Sequence, residues 1–284
     1  MSGTLYLVAT PIGNLEDITY RAVRILGEAD LIAAEDTRNS IKLLNHFEIK
    51  KPMTSYHEFN RFDKAEVLIE KLMSGENIAL ITDAGTPGIS DPGEVLVGMC
   101  IENGIPVVPV PGAVAGINAL IASGQSTRRF VFEGFIPQDK KEKAEVLERL
   151  KNETRTMIFY EAPHRLKKTI GELKAVFGSE RSITICKELT KKHETFRKTT
   201  LGEAASFYDE EANEPRGEYV LIVAGRSEEE IEAEKAAAWE KISIEEHLKR
   251  YIDEGMSKKE AVKLVAEERS IPKRDVYAVS VKFH

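Results

Sequence analysis

Residues 83–93, DAGTPGISDPG, hold three glycines, two prolines and two aspartates, and follow the apolar run NIALI. A turn needs one Gly or one Pro, and this segment has five such residues. Glycine lets main-chain amides and carbonyls come close to a ligand, and proline holds them in place. Two further segments of the same kind follow apolar runs: TPIGN at 10–14 and PGAVAG at 111–116. The chemistry this favours is recognition of a ligand by backbone groups rather than by a row of charges. Phosphate is a poor match, because GxxxxGK[ST] does not occur and TPIGNLED is not GxGxxG. A ligand with an adenosine end and a zwitterionic end, and no phosphate, fits better. No metal is expected. The six histidines show no HxxxH spacing, and there is no CxxC. Cys100 and Cys186 lie among apolar neighbours and read as small buried hydrophobes rather than a disulfide or metal pair.

The elements that must position these loops alternate. Over residues 1–124, strand-like runs (TLYLVAT, DLIAAED, NIALITD, IPVVPV) are separated by helical patterns (DITYRAVRIL, TRNSIKLL, RFDKAEVLIEKLMSG, EVLVGMCIENG, and PGAVAGINALIASG starting at Pro111). In the third, Ala65, Leu68, Ile69 and Leu72 recur at i, i+3, i+4, i+7, with Gly75 as a stop. Such alternation predicts an α/β domain with a parallel sheet, and all three Pro/Gly loops then open at the carboxyl ends of its strands. The polar stretch GQSTRR at 124–129 reads as a hinge to a second α/β domain over 125–226. There the strands RFVFEGF, RTMIFYE, RSITICKE, ETFRKTTL and GEYVLIVAG, with three helices between them, predict a mixed sheet.

Residues 227–284 form a third region: an acidic, Ala-rich helical linker, then three short helical patterns. Ser257 with Glu260 is a capping box, Gly255 closes the helix before it, and Pro272 suits a first turn. Residues 257–284 carry seven Lys and Arg against four Asp and Glu, a net of plus three on a chain of net charge −7. That outline is helix-turn-helix-like, and it reads either as an RNA-holding element or as a small packing module. The overall negative charge argues against a general polyanion binder. No apolar run approaches a membrane span, and the N-terminus reads as a first strand rather than a signal peptide. A cytoplasmic protein is expected.

Taken together, PIGNLED, AEDTR, SYHEFN, DAGTPGISDPG, PGAVAGINAL, EGFIP, FYEAPHR, KELTKKHE and RGEYVLIV resemble the tetrapyrrole methylase superfamily. Within it they are similar to the bacterial small-subunit ribosomal RNA cytidine 2′-O-methyltransferases. The likeness covers nearly the whole chain. One departure is FNRF after SYHE, where the family usually has a more polar run.

The resemblance implies two α/β domains, a homodimer, and S-adenosylmethionine bound in the cleft between the domains. It places Thr86, Ile89, Ser90 and Asp91 closest to the cofactor, on a loop that also contributes Asp83 and Gly85. Pro11, Ile12 and Gly13 would line the same cleft, as would Gly112, Ala113 and Val114. The second domain would contribute Tyr160, Leu189 and Gly217. The substrate implied is a cytidine ribose in the decoding region of 16S ribosomal RNA, in an assembled particle. Asp91 also reads as the cap of the helix PGEVLVGM.

Methylating a ribose hydroxyl calls for a base, and the carboxylates and lysines at strand ends are the candidates: Glu35, Asp36, Asp91, Lys187 and Glu188. Asp36, Lys187 and Glu188 are the catalytic residues expected, although Asp36 also reads as a helix cap paired with Arg38. Arg38, His57, Glu58, His164, Arg165, Lys273 and Arg274 are the expected substrate contacts. His57 and His193 read as orienting or structural groups, and the APHRLKK face equally as a solvated helix surface. Tyr56, Phe59, Phe135 and Tyr160 lie beside polar or basic residues, but the sequence shows no stacking platform. Two other functions stay open: a methyltransferase for a corrin or porphyrin precursor, and a non-catalytic RNA-binding assembly factor.

Overall fold

A computed structural model describes residues 2–231, 239, 242–269 and 271–281. The chain divides into two compact units, Met1–Lys151 with Arg155–Ala224, and Asn152–Thr154 with Gly225–His284. The larger unit holds two five-stranded sheets.

The first sheet runs β3-β2-β4-β1-β5 and is parallel throughout. Its strands are β1 (Leu5–Val8), β2 (Leu31–Ala34), β3 (Met53–Ser55), β4 (Ile78–Ile81) and β5 (Val107–Val110). The runs LIAA and IALI are buried at every residue, as strands covered on both faces must be. Helices α1 (Tyr20–Glu28) and α2 (Thr37–His46) cover one face, packing Ala22, Ile25, Leu26 and Leu44 on Val8, Ile32 and Ile81. Helices α3 (Arg61–Met73) and α4 (Gly93–Glu102) cover the other, and the stripe Ala65, Leu68, Ile69, Leu72 is buried there. Strand β3 is not among the strands expected from sequence. It is three half-buried residues on the sheet edge, paired with β2 alone, and carries no apolar run. Helix α5 (Ala115–Ala122) begins four residues later than Pro111, leaving residues 111–114 as loop.

The second sheet, β6-β7-β10-β8-β9, is mixed: β6 pairs parallel with β7, and the remaining pairs are antiparallel. Its strands are β6 (Phe130–Phe135), β7 (Thr156–Glu161), β8 (Ser182–Lys187), β9 (Thr195–Thr200) and β10 (Tyr219–Val223). Helices α6 (Lys140–Leu150), α7 (Pro163–Phe177) and α8 (Leu201–Asp209) pack on one face through Leu147, Leu166, Ile170, Leu173 and Leu201. The other face receives α5. Ala119 and Leu120 meet Ile158, Cys186, Val220 and Ile222 there, so one helix joins the two sheets. Segment 124–129 is tied to the second sheet: Thr156 donates to the Ser126 carbonyl at 2.7 Å and Gln125 to Ser182 Oγ at 2.8 Å. Cys100 and Cys186 are free and buried.

The smaller unit contains α9 (Ile244–Asp253), α10 (Lys258–Glu268) and α11 (Lys273–Ser280), packed around Leu248, Ala261, Val262, Val265 and Val276. Capping boxes open α9 at Ser243 with Glu246 and α10 at Ser257 with Glu260. Pro272 is the residue before α11, one position earlier than expected. Buried His247 stacks on Trp239 at 3.5 Å, takes the Arg269 Nε–H on Nδ1 at 3.1 Å, and sets Nε2 3.0 Å from Glu268. The expected linker helix falls largely on residues 232–238, 240 and 241, outside the described residues. Among the described residues no helix is long and apolar enough to cross a membrane.

Candidate functional site

The Pro/Gly loops are fastened to one another by main-chain bonds. Thr10 and Gly85 form an isolated antiparallel bridge, N–H to O distances 2.8 and 3.2 Å, that ties the loop after β1 to the loop after β4. Thr86 Oγ1 donates to the Ala113 carbonyl at 3.0 Å and ties in the loop after β5. Asp91 accepts the amides of Gly88, at 2.9 and 2.8 Å, and of Gly93, at 2.7 Å. Pro92 precedes α4 and makes no side-chain cap bond, but Gly93 is the first residue of the helix, so Asp91 both stitches its own loop and satisfies a helix N-terminal amide, in keeping with the cap expected from sequence. Burial pushes the Asp91 carboxyl above its usual range, and the Gly88 and Gly93 amides pull it partway back. Ser90, inside that stitch, has φ +59, a left-handed conformation that a non-glycine side chain rarely adopts and that clusters at ligand sites.

Around this loop stand residues from β2 and β3. Glu35 Oε2 accepts from Thr82 Oγ1 at 2.6 Å and, more weakly, from the Asp83 amide at 3.4 Å. Asp83 in turn accepts from the Asp36 amide and from Asn39, both at 3.1 Å. Asp36 caps α2 through the Arg38 amide at 2.8 Å and takes the Arg38 guanidinium at 3.1 and 2.7 Å. The Arg38 guanidinium and amide hold the Asp36 carboxyl down at about 2. Tyr56, buried, donates to the Pro92 carbonyl at 2.9 Å and anchors the turn after β3 to the same loop.

The second sheet closes the cleft. The Gly116 amide donates to the Tyr160 hydroxyl at 3.0 Å, and Phe132 and Phe135 pack edge-on against the Tyr160 ring at 5.1 and 5.6 Å. Glu161, 3% exposed, accepts from the Ala162 amide and Thr169, with Arg165 Nε at 3.3 Å. In KELT, Glu188 and Thr190 have φ +53 and +66. Glu188 Oε1 takes the Glu218 amide at 2.9 Å and Lys191 Nζ at 3.0 Å. The Glu218 amide, helped by Lys191 and opposed by burial, holds Glu188 below the usual carboxylate range. A Cβ at Gly217 would lie 2.6 Å from Glu188 Cδ, so only glycine leaves room for this latch.

Between the two sheets these parts enclose a cavity of about 580 Å³. That lies within the span of small-ligand and cofactor sites, roughly 300–1,000 Å³. Of the residues expected from sequence, Ile12, Gly85, Thr86, Ile89, Ser90, Asp91, Val114, Tyr160, Leu189 and His164 line it. Pro11, Gly13, Asp83, Gly112, Ala113 and Gly217 are not in the lining. Asp83 braces the start of α2 through Asn39, the Ala113 carbonyl takes the Thr86 hydroxyl, and Gly217 leaves room for the Glu188 latch. Asp36, Lys187, Glu188, Arg38, His57, Glu58 and Arg165 are not in the lining. Lys273 and Arg274 belong to the smaller unit and are exposed. Sequence reasoning missed Thr82, Glu161, Glu218 and Tyr219, which do line it. Thr82 follows β4, which was read for its apolar residues; Glu161 ends β7 beside Tyr160, the residue of that strand expected at the site, and Glu218 and Tyr219 follow the expected Gly217 at the start of β10. Glu35, Asp91, Glu161 and Glu218 are among the lining residues, but the Glu161 side chain is buried and held by the Ala162 amide, Thr169 and Arg165, and Glu218 Oε2 takes Lys191 Nζ at 2.9 Å; among the described residues the lining includes no Lys or Arg.

Comparison with known proteins gives this architecture a family. The model of the Tetrapyrrole (Corrin/Porphyrin) Methylases matches residues 4–205. The ribosomal RNA small subunit methyltransferase I of Halalkalibacterium halodurans is 50% identical over 277 residues, covering 98% of this chain and 94% of that protein. The protein of that name from Bacillus subtilis is 48% identical over 275 residues, covering 97% and 93%. Among solved structures, diphthine synthase superposes with a TM-score of 0.62 at 13% identity, over 78% of this chain and 90% of that one. The uroporphyrin-III C-methyltransferase of Thermus thermophilus, in complex with S-adenosylhomocysteine, superposes with a TM-score of 0.56 at 17% identity, over 78% and 97%. At those identities the structures establish a shared fold, while the sequence matches establish descent: the chain belongs to the tetrapyrrole methylase family, together with the ribosomal RNA small subunit methyltransferases I.

Proposed function

We propose that the protein is an S-adenosylmethionine-dependent methyltransferase acting on small-subunit 16S ribosomal RNA, with the 2′-hydroxyl of a decoding-region cytidine as acceptor. It works in the cytoplasm, as a homodimer, on an assembled particle. The observation that carries the donor half is the cavity itself. Its lining is backbone with apolar and polar side chains and, among the described residues, includes Glu35 with one carboxylate oxygen unengaged and no Lys or Arg, so it offers a nucleotide phosphate no Lys or Arg partner and suits a phosphate-free ligand. Small-subunit RNA as the substrate rests on the names and near-full-length identity of the relatives, and the decoding-region cytidine 2′-hydroxyl rests on the resemblance carried by the sequence motifs.

S-adenosylmethionine, when bound, supplies a methyl group on a sulfonium, open to in-line attack. Ile12, Gly85, Thr86, Ile89, Ser90, Val114, Tyr160, Leu189 and Val220 are the residues that would hold it. Asp91 fixes the loop, so the clasp is formed before the ligand arrives, and alignment of this kind lowers a barrier by about 7–11 kcal/mol in favourable cases. Among the expected bases, Asp36 is engaged by Arg38 and Glu188 by Glu218 and Lys191. Glu35 lines the cavity with only Oε2 bonded, to Thr82 and Asp83, and Oε1 has no partner among the described residues. Glu35 is therefore the carboxylate best placed to take the hydroxyl proton, a contribution of roughly 10²–10⁴-fold.

The test is transfer of a tritiated methyl group to assembled small subunits, protein-free 16S RNA and a porphyrinogen in parallel. Label on the subunits is the expected result. Label on the porphyrinogen alone would assign the cavity to tetrapyrrole chemistry. No binding of S-adenosylhomocysteine by calorimetry would leave an RNA-binding assembly factor.

A further inference from the structure

The turn after β3 is rigid, and the side chains it presents are unburied. The His57 amide donates to Asn60 Oδ1 at 2.8 Å, the Asn60 amide to the His57 carbonyl at 3.0 Å, and Asn60 Nδ2 to the Ser55 carbonyl at 3.4 Å. Tyr56 fastens the whole turn to the Pro92 carbonyl, and a small recess beside it is lined by Tyr56, Glu35, Thr82 and Asp91. The turn is thus continuous with the rim of the cavity. On it Phe59 is 97% exposed, and Phe62, in the first turn of α3, is 61% exposed. The His57 ring stands 6.2 Å from the Phe59 ring, and the Arg61 guanidinium lies 4.9 Å from the centre of the Phe62 ring. Phe59 and Phe62 bound the run FNRF that follows SYHE.

Two phenylalanines held out into water on a hydrogen-bonded turn forgo the burial such side chains usually gain. They are interleaved with Glu58, Arg61, Asp63 and Lys64, so they do not make the continuous apolar area that a stable protein interface needs. Separate aromatic faces with an arginine between them are what unpaired bases stack on. We propose that Phe59 and Phe62, with Arg61, form a stacking platform that grips unpaired bases of the RNA beside the target nucleotide. The proposal rests on the reading of the protein as a ribosomal RNA methyltransferase, and it adds how the substrate is held. The platform lies at the carboxyl edge of the parallel sheet, the edge onto which the Pro/Gly loops also open.

The experiment measures affinity for small ribosomal subunits and for a single-stranded RNA oligomer, KM and kcat for methylation of the subunits, binding of S-adenosylhomocysteine, and mass in solution. The variants are Phe59→Ala with Phe62→Ala, and Phe59→Trp with Phe62→Trp. Stacking predicts that the alanine pair weakens both RNA affinities and raises KM roughly ten- to hundredfold. It predicts S-adenosylhomocysteine binding and mass like the wild type, and restoration of affinity by the tryptophan pair. Wild-type affinity and KM in the alanine pair would overturn the proposal, as would a loss that the tryptophan pair does not repair. A loss that coincides with a change of oligomeric mass would overturn it in favour of self-association. Wild-type protein that binds RNA yet methylates no subunit would instead refute the methyltransferase reading, while the affinity measurements still decide the platform.

Discussion

The Asp91 carboxylate meets the Gly88 amide with both oxygens, at 2.9 and 2.8 Å, closing residues 88–91 into a ring with Ser90 at φ +59 inside it. One side chain thus fixes the 88–93 part of the loop. Asp91→Ala is expected to destabilise the protein by about 1.5–3 kcal/mol, the range for hydrogen bonds to a charged group. It should also weaken S-adenosylhomocysteine binding at least tenfold. Urea unfolding and calorimetry check the two effects, and a variant with wild-type affinity would show that the stitch is dispensable.

Asp36 and Asp91 should give opposite dependences of stability on pH. Asp36 is lowered from 3.8 to about 2, chiefly by Arg38, so its contribution is present above 3.8 and is lost as pH falls through about 2. Asp91 is raised by burial, so the folded state binds its proton more tightly than the unfolded chain does. Its contribution is fullest below the ordinary aspartate value and declines as pH rises through the elevated one. Urea midpoints recorded downward from pH 6 should show a smaller acid loss for Asp36→Asn than for the wild type. Asp91→Asn should show a larger one, because the opposing slope is gone.

Gly85 and Gly88 both have left-handed φ, +91 and +87, but different surroundings. A Cβ at Gly85 would lie 3.4 Å from Ile12 Cγ2 and 3.6 Å from the Ala113 carbonyl oxygen, while one at Gly88 meets nothing within 4 Å. Gly85 lines the cavity and Gly88 does not, so Gly85→Val, whose branches would take ligand space, is expected to weaken S-adenosylhomocysteine binding at least tenfold. Gly88→Ala should only strain the backbone, by about 1–3 kcal/mol, with affinity reduced far less. Equal effects in calorimetry would contradict the difference.

The smaller unit tests a separate expectation. Lys273 and Arg274 are exposed, and Arg274 pairs with neighbouring Asp275 at 3.2 Å, a pairing of little energetic weight at the surface. If they hold RNA phosphates, reversing both to Glu should weaken RNA binding and flatten its salt dependence by about 0.7 for each phosphate no longer neutralised. An unchanged salt slope would leave the three helices as a packing module.

Much of the architecture could be read from periodicity because LIAA and IALI are buried on both faces and the α3 stripe has helical spacing. β3 escaped because an edge strand of three residues, half-exposed, needs no apolar signal. The Pro/Gly loops were legible as ligand-facing because their composition serves backbone contacts. Asp36 was legible as a helix cap paired with nearby Arg38. The states of Glu35 and Glu188 were not, because their partners lie far along the chain: Thr82 for Glu35 and Glu218 for Glu188. The platform at Phe59 was hidden for a related reason, since exposure is set by the Tyr56 and Asn60 anchors rather than by residue type.

The most direct test of the central claim is to locate the methyl group. Small subunits from cells lacking the protein would be incubated with it and S-adenosylmethionine, and the 16S RNA then digested to nucleosides and sequenced fragments for mass spectrometry. The account predicts one new methyl group, on the ribose 2′-oxygen of a cytidine in the decoding region, with Glu35→Gln forming it roughly 10²–10⁴-fold more slowly while S-adenosylhomocysteine binding is kept. A methyl group on a base, or subunits left unmodified by wild-type protein that binds S-adenosylhomocysteine, would contradict it.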